Sequence, residues 1–203
     1  MFNSTFSKNY NLTLKQFGLE NQGNYIEGKY DNQDSVEIFH KRYKIIFDSY
    51  INYTVVSGSS LETEFSRVRL EFISPDKLLF KIVNQGFYET IQKIFGGKDI
   101  KIGNEEFDKK YVITGNDDFK IQTLFSIEKI QNLIIRLNSL RIEILENEGF
   151  FGGLIKPGNS VLYFISDKEL KNLIQFNILL ELFKLIIDNL DRLGSSKPCE
   201  ARS

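Results

Sequence analysis

The C-terminal part of the chain sets the strongest constraint on the fold. Leu173, Phe176, Leu180, Phe183, Ile187 and Leu190 recur down one side of a helix, and Ile174, Ile178 and Leu185 widen that face. Asn177, Glu181, Lys184, Asp188 and Asp191 leave only a narrow wet stripe. Ser166 and Glu169 stand three apart, as in a capping box, and Gly194 is a natural stop. An apolar face this broad is expected to lie across a sheet. Gln175, Asn177, Glu181, Lys184 and Asp188 interrupt Leu170–Leu193, so it does not read as a membrane span, which needs about 20 nearly unbroken apolar residues.

The first half supplies that sheet. Val68, Leu70 and Phe72 alternate with Arg67, Arg69 and Glu71, the period of two of a half-buried antiparallel strand. Ser74-Pro75-Asp76 turns the chain, and Leu78, Phe80 and Ile82 alternate again, which predicts a β-meander with one wet face. Tyr10, Leu12 and Leu14 alternate in the same way and read as a strand. The apolar stretch from Val36 to Val56 exceeds one typical strand, so a bend or bulge is expected near Asp48-Ser49.

Beyond Gly86 the period changes. Phe87, Ile91, Ile94 and Phe95 have helical spacing, ended by Gly96-Gly97. Tyr111 and Ile113 form a short strand closed by Gly115, and Asn116 is expected to cap a helix carrying Asp117 and Asp118 in its first turn. A second start at Ser126 extends this helical region to Leu137. Leu140–Leu145 and Val161–Ile165 read as strands around a loop at Glu146–Gly153. The expected architecture is α+β: a curved antiparallel sheet, rich in meanders, with the long C-terminal helix and a second helix over Asp117–Leu137 on one face. Residues 1–194 read as a single domain and 195–203 as a flexible tail.

Composition narrows the function. Within 203 residues, 26 Lys and Arg balance 27 Asp and Glu, so no overall positive field is available for nucleic acid. Eighteen Phe and nine Tyr supply a bulky core and exclude a disordered chain. One Cys and one His exclude a disulfide scaffold and a zinc site built on Cys or His clusters. Met1–Thr5 carries no basic stretch followed by an apolar one, and a soluble cytoplasmic protein is expected.

The run from Asp99 to Asp117 places Asp99, Ile100, Gly103, Phe107, Asp108, Tyr111, Ile113, Asn116 and Asp117 at fixed spacings. This resembles a signature, roughly D-I-x-x-G-x-x-x-F-D-x-x-F-x-I-K-x-N-D, in a family of uncharacterised bacterial proteins. The likeness continues through Glu148-Gly149-Phe150-Phe151-Gly152, where the family often has E-G-W-F-G, and through Leu162-Tyr163-Phe164 to Asn189–Gly194. Phe150 stands where Trp is common and Thr114 where Lys is common. The resemblance implies a domain type and a bacterial cytosolic setting; it transfers no activity and no catalytic residue.

Four groups of residues are candidates for function. Asp99, Asp108, Asn116 and Asp117 could converge as an acid/base pair or as oxygen ligands, or could serve the turns in which they lie. Phe150 and Phe151, in a loop flanked by glycine, are either a contact patch for a ligand or partner or a plug for the core. Arg67, Arg69, Lys77 and Lys81 would share the outer face of one hairpin, either meeting nucleic acid or simply solvated. His40 has no second His or Cys to work with, and Cys199 sits in the expected tail. Gly96-Gly97 and Gly152-Gly153 do not sit between a strand and a helix as a phosphate cradle requires.

No nucleophile set or cofactor loop emerges, so the expectation is a module, not an enzyme, that binds a protein partner or an apolar small molecule and uses no cofactor or metal. The competing expectations are a carboxylate-dependent hydrolase centred on Asp99 and Asp108, possibly metal-assisted, and nucleic-acid binding through the basic hairpin.

Overall fold

The alternation at Arg67–Phe72 produces the strand it implies, with Val68, Leu70 and Phe72 wholly buried and Glu71 in water. The computed structural model describes residues 8–28, 33–56, 59–87, 98–137, 141–146, 155–170 and 172–199. Among them are eight strands: β1 (Asn24–Ile26), β2 (Ser35–His40), β3 (Tyr43–Val56), β4 (Ser59–Ile73), β5 (Phe80–Asn84), β6 (Tyr111–Gly115), β7 (Arg141–Leu145) and β8 (Asn159–Ser166). They form one open antiparallel sheet in the order β1-β2-β3-β4-β8-β7-β5-β6. Among the described residues the α-helices are α1 (Lys8–Glu20), α2 (Glu105–Lys110), α3 (Asp118–Phe125), α4 (Glu128–Ile135) and α5 (Leu173–Arg192). The fold is α+β.

The inner face of the sheet carries Val36, Ile38, Ile45, Phe47, Val68, Leu70, Ile82, Ile113, Ile142, Leu162 and Phe164, all in one apolar cluster with the helices. Helix α5 is the centre of that layer and packs against α1, α3 and α4. Phe176 touches Phe17 of α1 and Phe47 of β3, with ring centroids 5.1 Å and 6.0 Å apart. Aromatic contacts of this kind add modestly to the area term that dominates such a core.

The segment at Tyr10–Leu14 is helix α1, not a strand. Tyr10, Leu14 and Phe17 stand at i, i+4 and i+7 and are buried, whereas Leu12 is 65% exposed. The same residues fit either period over so short a stretch, and packing on Val36 and Phe176 decides it. The break in Val36–Val56 is a two-residue turn at Lys41-Arg42, with Lys41 at φ 55°; β3 runs straight through Asp48-Ser49. Nor does β4 form a hairpin with β5. Strands β8 and β7 lie between them, because β4 pairs with β8 and β5 with β6 and β7.

Two helix starts also differ from expectation. Ser166 is paired with Ser66 in the sheet and its Oγ accepts from the Lys168 N–H, so α5 begins later, capped by Asn172. Asp117, not Asn116, caps α3, and a break at Ser126-Ile127 separates α3 from α4. Gly115 ends β6 where no side chain fits: a Cβ there would run into the Leu79 carbonyl and the Ile121 side chain. Ser195–Cys199 does not behave as a flexible tail. Lys197 exchanges both backbone hydrogen bonds with Ile73 at 2.9 Å, and Ser195 and Ser196 are buried.

Candidate functional site

Each residue of the expected acidic cluster is engaged by nearby backbone. Asp99 Oδ1 accepts from the Ile113 N–H at 3.3 Å while Ile100 donates to the Ile113 carbonyl, so this pair covers the outer edge of β6. Asp108 Oδ1 and Oδ2 accept from the N–H groups of Ile102 and Gly103, both at 3.1 Å, holding the turn in which Gly103 has φ 85°. Lys101 Nζ joins the two segments, 2.5 Å from Asp99 Oδ2 and 3.0 Å from the Asp108 carbonyl. Asn116 links the Leu79 N–H and the Lys77 carbonyl, and Asp117 accepts from the Lys120 N–H. All four carboxylate oxygens of Asp99 and Asp108 therefore carry a bond. Among the described residues no group of three or more His, Cys, Asp or Glu could hold a metal ion.

Phe150, Phe151, Gly96-Gly97, Gly152-Gly153 and most of the helical spacing at Phe87–Phe95 lie outside the described residues. His40 Nε2 lies 2.9 Å from Asp188 Oδ1, to which Lys41 also donates at 2.7 Å, so it ties the β2–β3 turn to α5. The basic hairpin face is not assembled. Arg67 and Arg69 bond Asp48, and Lys81 lies two strands beyond β8, 3.3 Å from the buried Glu143. Burial pushes the Lys81 ammonium below its ordinary range; Glu143 opposes this and Arg141 adds to it.

A cleft of about 1080 Å³ opens on the outer face of β1–β4, opposite the helices. Its floor follows from register. Ser35, Asp48 and Arg67 are consecutive partners across β2, β3 and β4, and Glu37, Ile46 and Arg69 form the next row. Arg67 Nε and Nη2 donate to Asp48 Oδ1 and Oδ2, both at 2.8 Å, and Arg69 Nη2 donates to Oδ2 at 2.7 Å. A side-on guanidinium pair of this kind fixes position as well as charge. The Arg67 guanidinium also lies 5.3 Å from the Tyr50 ring centroid.

Ile26, Ile46 and Tyr50 make the walls on this face, and Ile51 and Tyr53, which share the parity of the inward Phe47, line the cleft farther along β3. Glu37 is paired with Lys44 at 2.7 Å, and Glu27 stands exposed at the rim. Ser49 donates to the buried Glu64 at 2.8 Å. Where β1 leads out, Asp34 accepts from Tyr25 Oη and from the Gly28 N–H, which anchors the lip of the cleft. The arrangement is suited to holding a molecule: apolar and aromatic sides above a fixed, charged floor.

The sequence singled out Arg67 and Arg69, but on a basic hairpin face that either meets nucleic acid or is solvated, and Asp48 read as a bend. The available cue was an acid midway along an apolar strand and two arginines two apart on the next one. Only the pairing register puts them together.

Comparison with models of protein families, with curated proteins and with solved structures found no match in any of the three.

Proposed function

We propose that this protein is a binding module whose ligand, a small molecule with an apolar body, sits in the cleft on the outer face of β1–β4. The observation that carries this reading is the cleft itself, whose apolar walls stand over a buried ion cluster. At about 1080 Å³ it is a broad, open cleft, a little above the roughly 300–1,000 Å³ of most small-molecule sites. A rigid floor favours binding because little side-chain freedom remains to be lost. Action by binding is supported by two of the acids that line the cleft. Asp48 accepts from two guanidiniums and Glu37 from an ammonium, an arrangement that holds fixed charge in place beneath a ligand.

The test uses a neutral apolar fluorophore, Nile red, titrated with the purified protein. Saturable enhancement is expected, and Ile46→Lys, which places a charge in the cleft wall, abolishes it while circular dichroism and the urea midpoint hold. No saturable enhancement, or the same enhancement in Ile46→Lys, would overturn the reading.

A further inference from the structure

Resting on that cleft as the binding site, we infer that its ligand is a short peptide with apolar side chains, bound in extended form as an added strand along the edge of β3. The register of the strands carries this. β2 meets β3 only as far as Ser35 opposite Asp48, whereas β3 runs on with β4 to Val56 opposite Ser59. His40 and Tyr43 flank a two-residue turn and so form a hydrogen-bonded pair. The alternation of an antiparallel ladder then turns the backbone groups of the odd-numbered residues of β3 toward the β2 side. Past Asp48 that parity continues through Ser49, Ile51 and Tyr53. Among the described residues, no hydrogen bond reaches their N–H and C=O groups on that side. All three line the cleft, which explains why side chains of both parities are found there: the cleft runs over a strand edge as well as a sheet face.

The two outer edges of the sheet show the contrast. On β6, Asp99 and Ile100 bond the backbone of Ile113, and β1 is only three residues long. Covering elements, short strands, charged side chains and proline are the usual protection of an edge. Ser49–Val56 carries no charge, Gly or Pro and is rich in β-branched and aromatic types. Such an edge recruits a strand. The cleft has room for a single one. In the strand order the lane beside β3 belongs to β2 and the next to β1, and Ile26, Glu27 and Gly28 line the cleft from that second lane. A second copy of this chain would bring its β4, alongside its β3, against those residues; a lone peptide strand does not. Beside Ile51 and Tyr53 the added strand meets apolar neighbours, which favours β-branched or aromatic residues at alternate positions.

Paired probes test this by calorimetry at neutral pH: the blocked peptide acetyl-Thr-Val-Thr-Tyr-Thr-Val-amide, and the same peptide N-methylated throughout, which keeps every side chain and removes the backbone donors. The parent peptide is expected to bind, and the methylated one roughly tenfold or more weakly, the scale of two or three backbone hydrogen bonds. In Tyr53→Pro the lost N–H is one that points away from β4, so no bond of the β3–β4 ladder goes with it. That variant is expected to bind the parent peptide no better than the unmodified protein binds the methylated one. Equal binding of the two peptides to the unmodified protein would overturn the strand inference and leave the cleft reading standing, whether or not Tyr53→Pro folds. No binding of either peptide, beside a saturable Nile red response, would do the same. A concentration-dependent dimer in sedimentation velocity that Tyr53→Pro abolishes would give the edge to a second copy and overturn the choice of a peptide. No peptide binding and no response to Nile red would overturn both readings.

Discussion

Asp48 and Arg67 stand directly opposite one another on β3 and β4, and the guanidinium grips the carboxylate through two 2.8 Å hydrogen bonds on the outer face of the sheet. Arg69 shares the same carboxylate. Removal of Asp48 therefore takes a shared carboxylate from two adjacent guanidiniums, one of them buried. Asp48→Ala is expected to destabilise by about 3–5 kcal/mol, the usual cost of breaking a buried ion pair by removing one partner. Asp48→Asn, which keeps an acceptor, is expected to cost less. Urea unfolding of the three proteins checks the order.

A second ion group, around Glu143, is expected to behave differently when its Lys81–Glu143 pair is removed together. Glu143, 1% exposed, is bonded by Lys81 at 3.3 Å and by Arg141 at 2.7 Å. Lys81→Met is expected to destabilise by about 3 kcal/mol, since a buried carboxylate loses a partner. Lys81→Met with Glu143→Leu is expected to recover most of that loss, because the desolvation of both charges is then avoided. A double-mutant cycle by chemical denaturation measures the coupling.

Stability is expected to fall on acidification through two anchors on α5 and the C-terminal segment. Burial pushes the Asp188 carboxyl up, but bonds from Lys41 and His40 outweigh it and hold the group below its ordinary 3.8. Asp76 follows the same balance, with burial outweighed by Lys120, Ser195 and the Leu78 N–H. A depressed folded value means the folded state keeps the charge longer than the unfolded chain. The contribution is complete above the unfolded value and is lost as pH drops through the lowered one. Urea midpoints should be level from about pH 7 to 5 and fall below about pH 4, less steeply in Asp76→Asn and Asp188→Asn.

Asp99→Ala and Asp108→Ala are expected to change stability without changing ligand retention. Asp108 holds two backbone N–H groups and Asp99 one, so losses of about 1–2 kcal/mol are expected, larger for Asp108. Nile red titration of both variants should reproduce the unmodified curve. A lost or weakened response in a folded Asp99 or Asp108 variant would return those carboxylates to candidacy.

The elements legible in the sequence are those whose burial pattern is complete within one segment. The alternation in β4, the short runs of β6, β7 and β8 and the broad stripe of α5 each declare their period locally. Helix α1 does not, because Tyr10, Leu12 and Leu14 satisfy a period of two until the burial of Phe17 is seen. Helix α2 buries only Phe107, too little to give a pattern. The acids from Asp99 to Asp117 stood out because turns concentrate such residues, and in the structure they serve the turns. The cleft stayed hidden because its floor is made by register between strands, a relation that no single segment carries.

Strand β8 is the piece that joins the sheet. As the chain grows, β1–β4 can pair in order, and β5, β6 and β7 can pair among themselves, but among the described strands the two groups join only when Asn159–Ser166 arrives to lie between β4 and β7. Until then each group presents a strand edge with its hydrogen-bonding groups open, the kind that templates association with another chain. A nascent chain stalled after Leu145 would thus carry two adhesive edges at once. The exposure of those edges ends with the insertion of one eight-residue strand.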